Sequence, residues 1–299
     1  MKYKIYLRDR NFIPYNKKQM VIYDEYNYDN LEWVPILKLD EKSNWIIDDV
    51  SDEDFVVYTD GELQPLNSGI HDRRKSHKNS IAWLIEPYEV FPLGYDYVSK
   101  NPNQFYKILT YDKTLLSYPN AIFHPLCTLF LEKKYLTITP KTKKLSIVCS
   151  QKNFTSGHSL RHQAKSLLDI EDVYGGKDPL ECSIADSYKD YMFQIVVENC
   201  KKDYWFSEKL TQCFLTGVIP IYWGCPSIKD FFDINGIITF DTIDELKNIK
   251  ENLSYDLYLS KMDSIKKNYE LASKFTSNEQ LIYDNIIIND DKFHKYKSE

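Results

Sequence analysis

Hydrophobic positions along this 299-residue chain fall in short apolar runs separated by polar turns. KYKIYL (2–7) alternates, which predicts a strand with one buried face. DFVVYTDG (54–61) is an apolar run closed by a turn signal, and SIAWLIEP (80–87) is another, broken at Pro87. Both predict buried strands. KILTYD and AIFHPL continue the strand-and-loop rhythm. From 132 to 144, EKKYLTITPKTKK loses the apolar pattern and gains five Lys and one Pro, so it predicts an inter-domain linker. LSIVCS (145–150) then opens a second series: a helix from about Ser159, a strand end and turn at DVYGG, a helix near 184–191, and the strand FQIVVEN. SEKLTQCFLTG follows as a helix, with Leu210, Cys213, Phe214 and Gly217 at i, i+3, i+4 and i+7. VIPIYWG and GIITF are strands, and 252–275 and 278–288 are closing helices. Such β–α–β–α alternation predicts parallel sheets with helices on both faces.

The balance of 38 Lys and Arg against 44 Asp and Glu gives a net charge of −6. That is no global footprint for nucleic-acid binding. With 43% hydrophobic and 15% aromatic residues the chain is no disordered polyelectrolyte. The basic stretch HDRRKSHKNS (71–80) is either a solvated loop or a contact for an anionic partner. MKYKIYLRDR is unlike a signal peptide, and no apolar run approaches the 18 residues of a membrane span. A cytoplasmic protein is therefore expected, with peripheral membrane attachment and oligomeric state left open. Six cysteines without a C-x-x-C pair predict free, mostly buried thiols rather than a zinc site.

Two predicted helices depart from the usual charge order. A helix N-terminus carries partial positive charge and favours acids in its first turn. The helix with Ser159 as its expected N-cap instead begins with Arg161, His162 and Lys165. The helix with Ser207 as N-cap has Lys209 in its first turn, partly compensated by Glu208. Both follow strands of one predicted sheet, so both starts belong at its carboxyl edge, where open α/β sheets bind ligands. Two positive helix ends with Arg161 and Lys209 suit a diphosphate.

These residues resemble a known family. EN-(x7)-SEKLTQCFLTGVIPIYWGCP is similar to the donor-binding signature of the family 10 glycosyltransferases, the α1,3/α1,4-fucosyltransferases, whose pattern is roughly F-E-N-(x7)-[IV]-T-E-K, a helix, then [GT]-x-[IV]-P-[IV]-x-x-G. Ser207 stands where the family has Thr, and Trp205 where it has Tyr. LSIVCSQ with SLRH resembles the family's strand, loop and phosphate-binding Arg, DVYG resembles its D-x-Y-G, and AWLIEP resembles its W-x-x-x-E-S-P. FYKILTYD resembles the segment that follows, so the likeness spans about residues 80–240.

The resemblance implies an α/β fold of GT-B type: two Rossmann-like domains facing a cleft, with a C-terminal helix crossing back to the first domain. The expected acceptor domain is 1–135, the donor domain 145–275, and the returning helix and tail 276–299. It implies inverting transfer of fucose from GDP-fucose to a sugar hydroxyl of a glycan acceptor. Arg161 and Lys209 would hold the diphosphate, Glu198 and Glu208 would accept from sugar and ribose hydroxyls, and Asn199 would serve either. Tyr174, Gly175 and Trp205 would lie near the nucleotide. Glu86, closing the apolar strand AWLI, is the expected general base. No metal is required when protein cations neutralise the leaving group, although Mn²⁺ can stimulate without being essential. Three other readings stand beside this one. One is a transferase of this fold using another nucleotide sugar. The second is an inactive sugar- or nucleotide-binding module, which would not need Glu86, Arg161, Glu208 and Lys209 together. The third is a metal-dependent GT-A transferase with Asp52-Glu53-Asp54 as its acidic motif, although these acids precede a strand rather than follow one.

Overall fold

The computed structural model describes residues 3–9, 31–39, 45–47, 49–63, 78–170, 172–175 and 184–288. The chain forms two compact units, one of Met1–Pro125 with Ser277–Glu299 and the other of Leu126–Thr276.

In the first unit six strands form one parallel sheet. They are β1 (Tyr3–Arg8), β2 (Leu31–Pro35), β5 (Val56–Thr59), β6 (Ser80–Trp83), β7 (Lys107–Thr110) and β8 (Ala121–Phe123), in the order β2-β1-β5-β6-β7-β8. A small antiparallel pair, β3 (Leu37–Leu39) and β4 (Trp45–Ile47), is separate from it. β5 and β6 are buried along their whole length, as parallel strands covered on both faces must be. The sequence pattern predicts β1, β5, β6, β7 and β8. It misses β2, because LEWVP ends in a proline, and it misses α1 (Pro92–Lys100), whose start has no side-chain cap. α7 (Asn278–Ile282) continues as a π-helical turn over Tyr283–Ile287. Ile282, Ile286 and Ile287 join Ile5, Val57, Ile81 and Leu109 in the core, and Trp33 Nε1 donates to Glu279 Oε1 at 2.6 Å. The C-terminal segment is thus part of the first unit.

The second unit holds a five-stranded parallel sheet of β9 (Lys143–Val148), β10 (Asp172–Tyr174), β11 (Tyr191–Val197), β12 (Ile219–Trp223) and β13 (Ile238–Thr239), in the order β10-β9-β11-β12-β13. From β9 the chain passes through α2 (Ser156–Leu167) to β10 on one side, while β11 pairs on the other. This reversal puts a topological switch point at the carboxyl ends of β9 and β11. After β11 comes α3 (Glu208–Thr216), which is buried nearly all round and ends at Gly217 with φ +75°. A Cβ on Gly217 would lie 2.8 Å from Ile138 Cγ2, so its conformation and its close packing both favour glycine. α4 (Ile243–Glu251), α5 (Tyr255–Ser260) and α6 (Met262–Ala272) complete the unit, so the expected single helix over 252–275 is broken at Lys261.

Three other sequence expectations are corrected. The segment 132–144 is not a linker, since the units divide at Pro125 and Leu126. Its lysines mislead because Lys141 is buried, with Nζ donating to the carbonyls of Tyr188 and Lys189 at 3.3 and 2.9 Å. Burial lowers that ammonium to about 8. The helix expected over 184–191 is only a 3-10 turn, Ile184–Ser187. The helix start expected at Ser159 lies three residues earlier, capped by Thr155. Cys127, Cys149, Cys200, Cys213 and Cys225 are free and buried; Cys182 lies outside the described residues, as does most of the basic stretch 71–80. Among the described residues no helix is long and apolar enough to cross a membrane.

Candidate active site

At the carboxyl edge of the second sheet, the loop after β9 runs into α2. Thr155 Oγ1 accepts the amide N–H of His158, which satisfies one orphan donor of the first turn. Gly157 then lets the helix start press against the end of β11. Its N–H donates to Asn199 O at 3.0 Å, and a Cβ there would lie 1.7 Å from Glu198 O. Arg161 therefore sits in the second turn of α2, not at the helix start. It is buried, and its Nη2 donates to Asn199 Oδ1 at 2.7 Å.

β11 delivers Glu198, which is 0% exposed. Its Oε1 accepts from Ser207 N at 2.9 Å and its Oε2 from Ser207 Oγ at 2.7 Å. Burial raises its carboxyl above the usual range, with Lys209 and Ser207 acting against the shift. Ser207 Oγ caps α3, accepting Lys209 N–H at 3.4 Å. Lys209 Nζ lies 3.2 Å from Ser207 Oγ, 3.2 Å from Glu208 Oε1 and 4.0 Å from Glu198 Oε2, with its side chain 30% exposed. Glu198 was expected to meet ligand hydroxyls directly. It is buried, and its two bonds to Ser207 hold the start of α3. A Cβ on Gly224 would fall 2.5 Å from Glu198 Cγ, so the carboxylate is walled in from that side too.

Arg161, Asn199, Glu198, Ser207, Glu208 and Lys209 thus form one connected cluster. His158 lies within it and was missed from the sequence. Its ring is 2% exposed, with Nδ1 2.6 Å from Thr155 Oγ1. Burial lowers it to about 4, and the field of Arg161, Lys152, Lys209 and His162 adds to the effect. Four neighbouring cationic or ionisable groups acting on one imidazole mark a local positive field in an acidic protein. Gly157, one of only nine glycines, was the available sequence signal. A scarce glycine in the first turn of a helix marks close backbone approach.

The weaker nucleotide candidates are placed as follows. Tyr174 is half-buried at the end of β10, its hydroxyl 2.9 Å from that of Tyr191, which also donates to Asp172. Gly175 has φ +83°, and a Cβ there would be 3.0 Å from Cys149 O; Gly176 lies outside the described residues. Trp205 is only 2% exposed. It is packed in the core beneath the loop before α3.

In the first unit, Glu86 follows β6 and is half-buried, whereas Glu89 is exposed. Asp60 accepts the amide N–H groups of Ile85 and Glu86, and Tyr95 donates its hydroxyl to Glu86 O at 2.9 Å. Asp52-Glu53-Asp54 forms a turn ahead of β5, with Asp54 Oδ2 accepting from Ser51 N at 2.8 Å and Glu53 paired with exposed Lys78.

A solved α1,3-fucosyltransferase structure aligns with 97% of this chain and 93% of its own at 16% identity, with a TM-score of 0.50. The chain shares the GT-B fold of that structure. An α1,3-fucosyltransferase structure with GDP-fucose aligns over 93% of this chain and 91% of its own at 15% identity and a TM-score of 0.49. In sequence, the α-(1,3)-fucosyltransferase FucT of Helicobacter pylori is 29% identical over 100 residues. That match spans 31% of this chain and 20% of the relative's length. No protein-family model matches the chain.

Proposed function

We propose that the protein is an inverting glycosyltransferase that moves fucose from GDP-fucose to a sugar hydroxyl of a glycan acceptor. The observation that carries this reading is the joining of Arg161 and Lys209 through the dipeptide Glu198–Asn199 at the carboxyl edge of the second sheet. As the glycosidic bond breaks, charge grows on the departing diphosphate. Arg161 can offer a planar fork of donors to it and Lys209 a point charge. Such preorganised donors each contribute roughly 10²–10³ in rate. Neutral His158 adds no charge of its own, so the anion meets the two permanent cations. Glu208 accepts from ligand hydroxyls, and Glu86 takes the proton of the acceptor hydroxyl as general base. The likeness to the Helicobacter pylori fucosyltransferase supports fucose as the sugar. Two protein cations at the diphosphate support turnover without an essential metal.

The test is calorimetry with GDP, UDP, CDP and TDP, followed by turnover of GDP-fucose with a panel of glycan acceptors in EDTA and in Mn²⁺. Selective GDP binding with turnover in EDTA is expected. Tight GDP binding with no turnover on any acceptor would favour a binding module. Activity that EDTA abolishes and Mn²⁺ restores would overturn the metal-independent chemistry.

A further inference from the structure

Asp60 is a buried carboxylate that the reaction above leaves without a role. It is 5% exposed and immediately follows β5, at φ +28°. A side chain other than glycine is uncommon at positive φ, and Asp is among the residues that tolerate it. Backbone strain of this kind persists where surrounding structure holds it in place, and it concentrates at functional sites. Here the surroundings are visible. A Cβ on Gly94 would stand 2.9 Å from Asp60 O, so α1 packs directly on the strained carbonyl.

The side chain then reaches across to the next strand's exit. Asp60 Oδ1 accepts the N–H of Ile85 at 2.8 Å and of Glu86 at 3.2 Å, and Oδ2 also faces the Glu86 N–H at 3.3 Å. On the other side of the same residue, Tyr95 from α1 donates to Glu86 O at 2.9 Å, and the Tyr95 hydroxyl lies 2.6 Å from that of Tyr111. Both polar groups of the Glu86 main chain are therefore held by side chains. One residue past β6, Leu84 N–H still donates to Leu109 O at 2.9 Å, and Asp60 and Tyr95 hold the main chain from Ile85 to Glu86.

We propose that Asp60 is a positioning residue for the general base: it fixes the main chain of Glu86 and so the line along which the Glu86 carboxylate meets the acceptor hydroxyl. The inference rests on the reading of Glu86 as base. Burial raises the Asp60 carboxyl well above the ordinary range, with the two amide bonds acting against the shift and Glu86 and Asp9 adding to it. Either protonation state keeps a carbonyl-type oxygen for the amides, so positioning does not depend on Asp60 being charged.

The experiment compares Asp60→Asn, Asp60→Ala and Glu86→Gln. It reads steady-state kinetics with GDP-fucose, calorimetric GDP affinity, and hydrogen exchange of the peptide covering Ile85 and Glu86. Asp60→Asn keeps an accepting oxygen and tolerates positive φ. It should hold kcat within about threefold and leave amide protection unchanged. Asp60→Ala should lose that protection and lower kcat by roughly 10–100-fold, the scale of an ångström's misplacement. GDP affinity and the KM for donor should stay put. An Asp60→Ala protein with faster exchange and normal kcat overturns the inference while leaving Glu86 as base. If Asp60→Ala does not fold, Asp60→Asn still decides: a kcat as low as that of Glu86→Gln, with amide protection intact, assigns Asp60 to proton chemistry and overturns positioning. A normal kcat in Glu86→Gln removes the base and with it the role of Asp60.

Discussion

The carboxyl edges of the two sheets are built on opposite electrostatic plans. In the second unit, a buried acid supports cations: Glu198 holds Ser207, Ser207 and Glu208 hold Lys209, and Asn199 holds Arg161. In the first unit, a buried acid supports another acid, with Asp60 and Tyr95 clasping the main chain of Glu86. In each case the supporting carboxyl is raised chiefly by burial. The difference lies in what is presented outward. A pair of cations can stabilise a growing negative charge, and a carboxylate can remove a proton. The buried acid is the support; Lys209 and Glu86, the half-buried neighbours, and buried Arg161 are the proposed working parts.

The sharpest way to break this comparison is Glu86→Gln. It keeps the shape of the side chain but cannot accept a proton, so kcat should fall by about 10²–10⁴. GDP affinity should be unchanged. Glu89→Gln, made beside it, should be close to normal in kcat. A collapse in Glu89→Gln instead would move the role three residues along.

Next in size is a test by pH that separates the two units' buried histidines. His124 in the first unit is 1% exposed, edge-on to Trp83 at 5.2 Å, and lowered to about 4 by burial, with Asn278 acting in the other direction. The unfolded chain takes up a proton below the ordinary imidazole value, and the folded chain does not until about pH 4. Stability is therefore full above about pH 6.5 and is lost as pH falls towards 4, by about 3 kcal/mol for this one group. Denaturant titrations followed by tryptophan fluorescence should show that slope, and His124→Phe should remove the His124 share of it, leaving the share of His158.

Arg161→Ala and Lys209→Ala probe the cation pair directly. Each should weaken GDP by about 1.5–3 kcal/mol, the worth of a charge-assisted hydrogen bond. Unchanged calorimetric affinity in both would mean that the diphosphate binds elsewhere. Gly157→Ala should be felt at the same site through the backbone. Its Cβ would meet Glu198 O, so the start of α2 must shift, at roughly 1–3 kcal/mol of stability. A thermal melt would read that loss, with weakened GDP binding alongside it.

The smallest effect distinguishes the causes of two similar shifts. His158 is held down partly by Arg161, Lys152 and Lys209, and His124 by burial alone. A diphosphate that neutralises the cations should raise the titration midpoint of His158 and leave that of His124 in place. Ring-proton NMR with and without GDP reads both at once.

How much of this was legible in the sequence follows from how local each signal is. Ser207, Glu208 and Lys209 form a helix start, and a helix start is written in three or four consecutive residues. The strands β9, β11 and β12 are apolar runs, and parallel strands buried on both faces leave that mark. The task of Glu198 was not legible, because its partner is nine residues away and nothing in the string tells a buried acid from a solvated one. Arg161 reads from the sequence as a first-turn residue, but the cap is Thr155 and the arginine lies a turn further in. The burial of Trp205 is decided by the packing of its loop, which no short stretch of sequence spells out. Asp60 carried a turn signal in Asp60–Gly61 but no sign that its carboxyl spans to Glu86, 26 residues on.

One consequence follows from the single dipeptide at the end of β11. Arg161 is tied to Asn199 and the start of α3 to Glu198, and consecutive Cα atoms across a trans peptide are about 3.8 Å apart. One covalent peptide unit therefore carries both anchors. If the end of β11 moves, the support of Arg161 and the support of the α3 start travel together. In the proposed reaction the two cations would then shift in step, like two hands on one handle, rather than one at a time.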